Sequence, residues 1–245
     1  MYSEKYLANM ISVLEKIAQT QTGNIIAAAE KLVDAVLSGH RVFAVGFGNA
    51  GLLAQELFYR SGGLVIINPI FAPGLDLNVT PITLTTEIER IEGYGRTVIS
   101  QKGISKGDFL LIHSVSGRNA VSVDMALEAK ERGAYTVCLT NLEYSKSVTS
   151  RHSSGKRLFE VCDLCLDNCG QKGDASVEIE GFSEKTAPTS TAAGAAILNS
   201  LVAEAVGMFV RKGVTPPVFM SANLDGGDAH NKKVLEQYGD RSTYM

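Results

Sequence analysis

Two short loops of small residues constrain this chain more than any other feature of its sequence. The first, residues 46–51 (Gly-Phe-Gly-Asn-Ala-Gly), follows the apolar run 41–45; the second, residues 114–119 (Ser-Val-Ser-Gly-Arg-Asn), follows the apolar run 109–113. Each loop precedes a segment with the spacing of an amphipathic helix. Helix N-termini carry unpaired N–H groups and partial positive charge, so small residues there let an anion reach the backbone. The pattern predicts one anion site built from two strand-to-helix turns.

The first loop on its own matches the dinucleotide-binding fingerprint Gly-x-Gly-x-x-Gly, through Gly46, Gly48 and Gly51. That fingerprint also needs an acidic residue about 20 positions further on, which holds the ribose hydroxyls. The chain has Asn68 and Pro69 there. The sequence therefore predicts no nicotinamide or flavin cofactor, and no other cofactor. A glycine turn that only packs a helix against a strand stays open as an alternative to the anion site.

The composition is that of an ordinary globular protein. Hydrophobic residues make up 45% of the 245 residues, charged residues 20%, and the formal net charge is -3. No basic excess points to nucleic acid, and no apolar run approaches the roughly 20 residues that span a bilayer. The N-terminus lacks the layout of a signal peptide. We therefore expect a cytoplasmic protein with no nucleic-acid or membrane partner.

The four cysteines do not form a metal-binding pattern. Cys162, Cys165 and Cys169 lack a second pair at zinc-ligand spacing, and Cys138 lies inside an apolar run. We expect free thiols in a reducing compartment and no metal.

Helical and strand-like segments alternate along most of the chain. Two helices are predicted within residues 1–38, and apolar runs typical of buried strands occupy residues 41–45, 64–68, 108–113, 136–140 and 164–167. Irregular stretches at 69–86 and up to 188 precede a long helix over 192–212 and a polar tail, 213–245. This order predicts a single α/β domain, 1–245, with a parallel sheet covered by helices on both faces. If the first and third strands are neighbours, the two loops meet.

Residues 107–119, with 129–133 and 136–141, resemble the core of the sugar isomerase (SIS) family, in which a Ser-x-Ser-Gly turn holds the phosphate of a sugar phosphate. The first loop and residues 187–191 (Ala-Pro-Thr-Ser-Thr) are similar to the same pattern. The resemblance covers about residues 25–212. It implies a flavodoxin-like five-stranded parallel sheet, and a homodimer or higher homo-oligomer with phosphosugar sites near the subunit interface.

The resemblance also implies a set of ligand-binding residues. They are Gly48, Asn49, Ala50, Ser114, Ser116, Gly117, Arg118, Asn119, Ser190 and Thr191. Two positions depart from the family pattern. Ala50 stands where the family often has Ser, and Arg118 stands where a small polar residue is more common. The Arg118 guanidinium is predicted either to pair with phosphate or to form a surface ion pair.

Isomerisation of a phosphosugar needs a base that moves a proton between adjacent carbons, and Glu and His suit that role. Our candidates are Glu92, which precedes a glycine, Glu184, just before residues 187–191, and His230 in the polar tail. Several members of the family bring a catalytic His from outside the core, often from the neighbouring subunit. Further candidates are Glu56, Glu87 and Glu89. The carboxylates at 87–92 could equally form a solvated helix face, and the tail could be a solvated terminus.

These residues favour a phosphosugar-binding protein, and within that class an aldose–ketose isomerase of the phosphoheptose or phosphohexose kind. Two alternatives stay open: a non-catalytic phosphosugar sensor, and a lyase or etherase acting on an amino-sugar phosphate. Many SIS sensors carry a fused helix-turn-helix domain. Only two helices are predicted before the sheet here, which weakens a direct role on DNA.

Overall fold

A computed structural model describes residues 1–244 and confirms the α/β fold with a five-stranded parallel sheet. Two helices precede the sheet, α1 (Tyr2–Thr20) and α2 (Thr22–Leu37). The strands are β1 (Val42–Gly46), β2 (Ile67–Pro69), β3 (Phe109–His113), β4 (Tyr135–Thr140) and β5 (Leu164–Asp167). Their order in the sheet is β2-β1-β3-β4-β5, with all neighbours parallel, which is the flavodoxin-like arrangement.

Helices and one small hairpin fill the connections. The helices are α3 (Leu52–Leu57), α4 (Thr83–Ile88), α5 (Tyr94–Gln101), α6 (Ala120–Glu131), α7 (Leu142–Lys146), α8 (Leu158–Val161), α9 (Ser190–Arg211) and α10 (Gly227–Tyr238). The hairpin pairs β6 (Ala175–Val177) with β7 (Thr186–Pro188) in antiparallel fashion. Single 3₁₀ turns lie at Gly48–Gly51 and Gly239–Arg241.

The sheet separates two hydrophobic cores because side chains alternate between its faces along each strand. On β3, Phe109 and Leu111 join one core, which α1, α2, α3 and α9 complete. Leu110 and Ile112 join the other core, together with α5, α6 and α8. Burial on both faces explains why each strand reads as a continuous apolar run.

Helix α9 is more apolar than the sequence pattern suggested. By length and composition alone it could cross a membrane, with a mean hydropathy of 1.7 over its most apolar window, half of which is buried inside the fold. Ala193, Ile197, Leu201 and Ala205 are among its residues in the first core. The apolar composition is therefore that of a core helix packed against α2 and α3.

The tail and the strand β2 differ from expectation. Strand β2 begins at Ile67, because Leu64 instead forms an antiparallel bridge with Val218. The tail contains the helix α10, whose Val234 and Tyr238 are buried in the first core. The irregular stretch before residue 188 likewise holds the β6–β7 hairpin. For β2 and α10 a contact distant in sequence orders a segment whose local pattern is weak, whereas β6 and β7 pair with each other within one short segment.

Candidate functional site

The two predicted loops meet at the carboxyl edge of the sheet, because β1 and β3 are direct neighbours and Gly46 lies opposite His113. Between the loops is an open cleft of about 220 Å³. Five of the residues predicted to bind ligand line it: Asn49, Ala50, Ser114, Ser116 and Asn119. The cleft lies where ligands bind in open α/β sheets, outside the carboxyl ends of the strands at the switch in strand order.

The first loop is a tight turn whose backbone N–H groups are largely used within the fold. A Cβ at Gly46 would clash with the Ala50 carbonyl oxygen, so only glycine fits there. Gly48 has a positive φ of 54°, and its N–H donates to the Leu75 carbonyl at 2.8 Å. The Ala50 N–H donates to the Phe47 carbonyl. The exposed side chain of Asn49 is therefore the main polar group that this loop presents to the cleft.

The second loop is anchored through its carbonyl groups and leaves its serine hydroxyls unused. The carbonyls of Val115 and Gly117 accept hydrogen bonds from the N–H groups of Asn141 and Leu158. Gly117 is buried with a positive φ of 59°, and it does not line the cleft. Within residues 1–244, the hydroxyls of Ser114 and Ser116 have no hydrogen-bond partner, although both residues are half-buried at the cleft wall. Polar groups in such a position are suited to a ligand.

Glu89, one of the further candidates for the base, also lines the cleft. Its Oε2 accepts a hydrogen bond of 2.6 Å from Nδ2 of Asn119, whose Oδ1 in turn accepts one of 2.8 Å from Nη1 of Arg151. The guanidinium can only donate, so this contact fixes which end of the Asn119 amide faces Glu89. Burial raises the pKa of the Glu89 carboxyl, and the hydrogen bond from Asn119 and the positive charges of Arg90 and Arg151 oppose that rise.

His113 lies at the end of β3 with 1% of its surface exposed. Its Nδ1–H donates to the Ala50 carbonyl at 2.9 Å, so Nε2 carries the lone pair, and that atom has no partner in the described chain. Burial lowers the pKa of His113 to about 4. The imidazole is therefore neutral at pH 7 and can accept a hydrogen bond.

The N-terminus of α9 is already occupied by a carboxylate. Asp174 accepts hydrogen bonds from the N–H groups of Thr189 and Ser190, at 3.1 and 2.8 Å, and from the Ser190 hydroxyl at 2.5 Å. Asp174 itself lines the cleft, whereas Ser190 and Thr191 do not. The structure thus places Asp174 where a phosphate was expected at this helix end, and ligand binding by Ser190 or Thr191 stays a prediction.

Arg118 and the three residues predicted as catalytic all lie outside the cleft lining. The Arg118 guanidinium donates to the carbonyl and the hydroxyl of Thr149 instead of forming a surface ion pair. Glu92 is exposed and bonds to Ser153. Glu184 is exposed in the β6–β7 loop, and His230 on α10 donates to the Val218 carbonyl. Within one copy of the chain, none of these three approaches the cleft, and their catalytic roles stay predictions.

Sequence reasoning missed Tyr144 and Asp174 as cleft residues, and it named Glu89 only among the further candidates for the base. Glu89 was one of several carboxylates in the segment after β2. A long-range contact brings Glu89 to the cleft: the Val121 N–H donates to the Glu89 carbonyl at 3.2 Å and ties the segment to α6. No sequence pattern around Asp174 predicts a binding site, because the residue reaches the cleft only through the β6–β7 hairpin, which it directly precedes.

No metal site is formed by the described residues: among residues 1–244, no three His, Cys, Asp or Glu side chains are arranged to hold an ion. The four cysteines are free, as expected. Cys138 of β4 lies opposite Cys165 of β5, and the thiols of Cys162 and Cys165 raise the pKa of Cys138. These thiols pack in the fold away from the cleft.

Comparison with known proteins places the chain in a family. The SIS domain model matches residues 5–141. A UPF0309 protein of Oceanobacillus iheyensis is 48% identical over all of this chain and 99% of its own length, and one of Shouchella clausii is 47% identical over the same shares. The chain therefore belongs to the SIS domain family and to the UPF0309 proteins.

Solved structures share the fold at low sequence identity. A phosphoheptose isomerase from Francisella tularensis aligns with a TM-score of 0.54 and 17% identity, over 82% of this chain and 95% of that one. The Vibrio vulnificus NanR protein, complexed with ManNAc-6P, aligns with a TM-score of 0.53 and 12% identity, over 96% of this chain and 70% of that one. Both likenesses concern the fold alone.

Proposed function

We propose that the chain binds a sugar phosphate in this cleft and catalyses its aldose–ketose isomerisation. One observation carries the proposal: the cleft holds two serine hydroxyls without protein partners, Ser114 and Ser116, beside a carboxylate, Glu89, whose pKa is raised by burial. The two serine hydroxyls are suited to binding a phosphate, and the Glu89 carboxylate is suited to proton transfer. The fold is shared with a phosphoheptose isomerase and with a NanR protein complexed with ManNAc-6P, which is consistent with such a ligand.

In the proposed complex, the phosphate lies between the two loops. The hydroxyls of Ser114 and Ser116 donate to it, the side-chain amide of Asn49 approaches from the first loop, and the N-terminus of α6 supplies partial positive charge. Gly48 and Gly117 contribute indirectly, because their positive φ angles let the two turns close.

Glu89 is proposed as the base. Its carboxylate removes the proton from the carbon next to the carbonyl and returns it to the former carbonyl carbon of the enediol. The hydroxyl proton of the first carbon passes to the former carbonyl oxygen, so that atoms and charge balance overall. A pKa raised towards neutral makes a carboxylate a stronger base, and the hydrogen bond from Asn119 holds it in place. Neutral His113 can accept a hydrogen bond from a sugar hydroxyl through Nε2.

The site also supports proposals about partners and location. The ligand is a small charged metabolite, and we propose that the protein acts in the cytoplasm without a nucleic-acid or membrane partner. We further propose a homodimer or higher homo-oligomer. A catalytic role for His230 would require a second copy of the chain, since His230 lies away from the cleft of its own copy.

Binding is tested by calorimetry with sedoheptulose, fructose, glucosamine and other amino-sugar phosphates. A hydrogen bond to a charged group contributes about 1.5–3 kcal/mol, so Ser116→Ala should weaken binding roughly tenfold or more. Ser200→Ala, on an exposed face of α9, is the matched control and should bind as the wild type does. Equal affinity in Ser116→Ala and the wild type, with equal melting curves, would reject the phosphate assignment.

Catalysis is tested by NMR detection of solvent deuterium entering the carbons next to the carbonyl. Glu89→Gln keeps the shape of the side chain but removes the base, so exchange should fall about 10²- to 10⁴-fold. The control Glu87→Gln changes an exposed carboxylate in the same segment and should keep exchange. Binding without any exchange would make the protein a sensor, and loss of a substituent from the sugar would make it a lyase or etherase.

A further inference from the structure

The arginines of this chain fall into two groups. Most have a carboxylate within 4.0 Å: Arg41, Arg60, Arg96, Arg132, Arg157 and Arg241. Within residues 1–244, Arg90, Arg118, Arg151 and Arg211 have none, although acidic residues outnumber basic ones in the chain. Two of them, Arg90 and Arg151, still act on Glu89 from a longer distance, because their positive charges oppose the rise of its pKa. One carboxylate does not balance the arginines around it, which suggests that a further anion comes from elsewhere.

Three of these four arginines lie near one wall of the cleft. Arg90 follows Glu89 in the chain, and Arg118 precedes Asn119. Arg151 reaches the same place from the segment before α8: its backbone N–H donates to the Arg118 carbonyl at 2.8 Å, and its Nη1 donates to Asn119 at 2.8 Å. Glu89 and Asn119 both line the cleft, so the three arginines are close to this wall, although none of them lines the cleft itself.

Arg118 and Arg90 each repel the charge of Arg151 in the free protein, and Glu89 offsets this only in part. Burial and the positive charges of Arg118 and Arg90 lower the pKa of Arg151. The Arg118 guanidinium is held by Thr149, whereas the Arg151 side chain has a single hydrogen bond and keeps most of its N–H donors available. An anion bound at Arg151 would relieve the repulsion and fill those donors.

The two serines of the second loop line the cleft, whereas Arg90 and Arg151 lie outside its lining. Ser114 and Ser116 belong to the turn after β3, while Arg90 and Arg151 lie beyond Glu89 and Asn119. A single phosphate on the serine loop leaves the free guanidinium N–H donors of Arg90 and Arg151 unused. On the basis of the proposed function, we propose that the ligand carries a second anionic group, a phosphate or a carboxylate, which Arg151 and Arg90 bind beyond Asn119.

The chemistry of isomerisation restricts which carbon of the sugar can carry the second anionic group. It cannot be an ester on a carbon that must become a carbonyl during isomerisation, because that oxygen would no longer be free. In a substrate it therefore belongs on another carbon or on a substituent of the ring, whereas a probe that only has to bind can carry it on the first carbon. The same charge would also speed ligand capture, since a positively charged cleft raises association rates for anions.

Calorimetry at constant ionic strength tests this inference with three probes that differ in charge: fructose 6-phosphate, fructose 1,6-bisphosphate and 6-phosphogluconate. We expect at least one doubly anionic probe to bind tenfold or more tightly than fructose 6-phosphate. A stronger bisphosphate indicates a second phosphate in the natural ligand, and a stronger phosphogluconate indicates a carboxylate. The ratio of affinities is the quantity compared, because it cancels effects common to all three probes.

Two variants complete the test. In the double variant Arg90→Gln/Arg151→Gln the affinity ratio should fall to about one, and in Arg90→Gln alone, which leaves the Arg151–Asn119 hydrogen bond intact, it should fall severalfold. Arg211→Gln removes an arginine that has no carboxylate partner within residues 1–244 and lies by Met208 and Lys212, away from the cleft, and should keep the wild-type ratio. A wild-type ratio near one, or a ratio unchanged in the double variant, rejects the second anion site but leaves the phosphosugar site standing. If neither the three probes nor the sugar phosphates above bind, both the second anion site and the proposed function are rejected.

Discussion

Burial of His113 at the end of β3 fixes its tautomer and its charge together. The Ala50 carbonyl needs a donor, so Nδ1 carries the proton, and the apolar surroundings keep the ring neutral by lowering its pKa to about 4. The same residue thus ties the first loop to β3 and presents an uncharged acceptor at the cleft. A protonated His113 would keep its hydrogen bond to the Ala50 carbonyl, but it would carry a charge and could no longer accept a hydrogen bond at Nε2.

This burial predicts a loss of stability in acid. Between about pH 6.5 and pH 4 the unfolded chain binds a proton at His113 and the folded chain does not, so the free energy of unfolding falls as pH falls. Each pKa unit corresponds to about 1.4 kcal/mol, which gives a loss of about 3 kcal/mol across this window. His113→Asn keeps a donor for Ala50 without a titrating ring and should show less of this loss. Urea unfolding at pH 7 and pH 4.5 measures it, and equal pH dependence in both proteins would contradict the prediction.

At the scale of the elements, the close contact of α5 with α6 positions the cleft residues. A Cβ at Gly95 of α5 would clash with the Val121 carbonyl oxygen and would lie 2.6 Å from Cβ of Asp124, both on α6. The Gly93 N–H also donates to Asp124 at 2.6 Å. This approach of the two helices keeps the preceding segment, with Glu89, against the N-terminus of α6.

Gly95→Ala should therefore destabilise the protein by about 1–3 kcal/mol, because backbone on α6 has to move to admit the methyl group. Gly23→Ala is the matched control. Gly23 lies in α2 with no atom within 4 Å of the place that a Cβ would occupy, so alanine there should stabilise by up to about 1 kcal/mol. Urea unfolding of both variants measures the difference, and equal effects would argue against the close helix contact.

The sequence predicted the elements whose signals are local. Each main strand is a continuous apolar run, and the turn glycines Gly46 and Gly117 mark the loops, so the sheet and the cleft could be placed in advance. Helix α10 could not, because its order comes from distant contacts such as the hydrogen bond from the Tyr238 hydroxyl to the Thr215 carbonyl. Glu89 was indistinguishable from Glu87 until the contact with α6 was known.

At the scale of the whole molecule, the end of the chain closes over β2. Asn68 is fully buried, and its Nδ2 donates to the carbonyls of Val42 and Arg241. Its Oδ1 accepts from the Thr243 N–H at 2.6 Å, and the Tyr244 hydroxyl donates to the Pro69 carbonyl. The position at which a dinucleotide-binding protein presents its acidic residue is thus both neutral and covered.

This closure predicts that the protein binds neither NAD nor NADP, despite the glycine fingerprint of the first loop. A ribose would find no carboxylate at Asn68, and the 241–243 segment would have to leave before it could approach. Titration by calorimetry should show nothing tighter than about millimolar for either nucleotide. The same preparation should bind a sugar phosphate, which shows that the cleft is intact. Micromolar binding of NAD or NADP would instead mean that the Gly46–Gly51 turn serves a pyrophosphate, and the serine loop would then need another explanation.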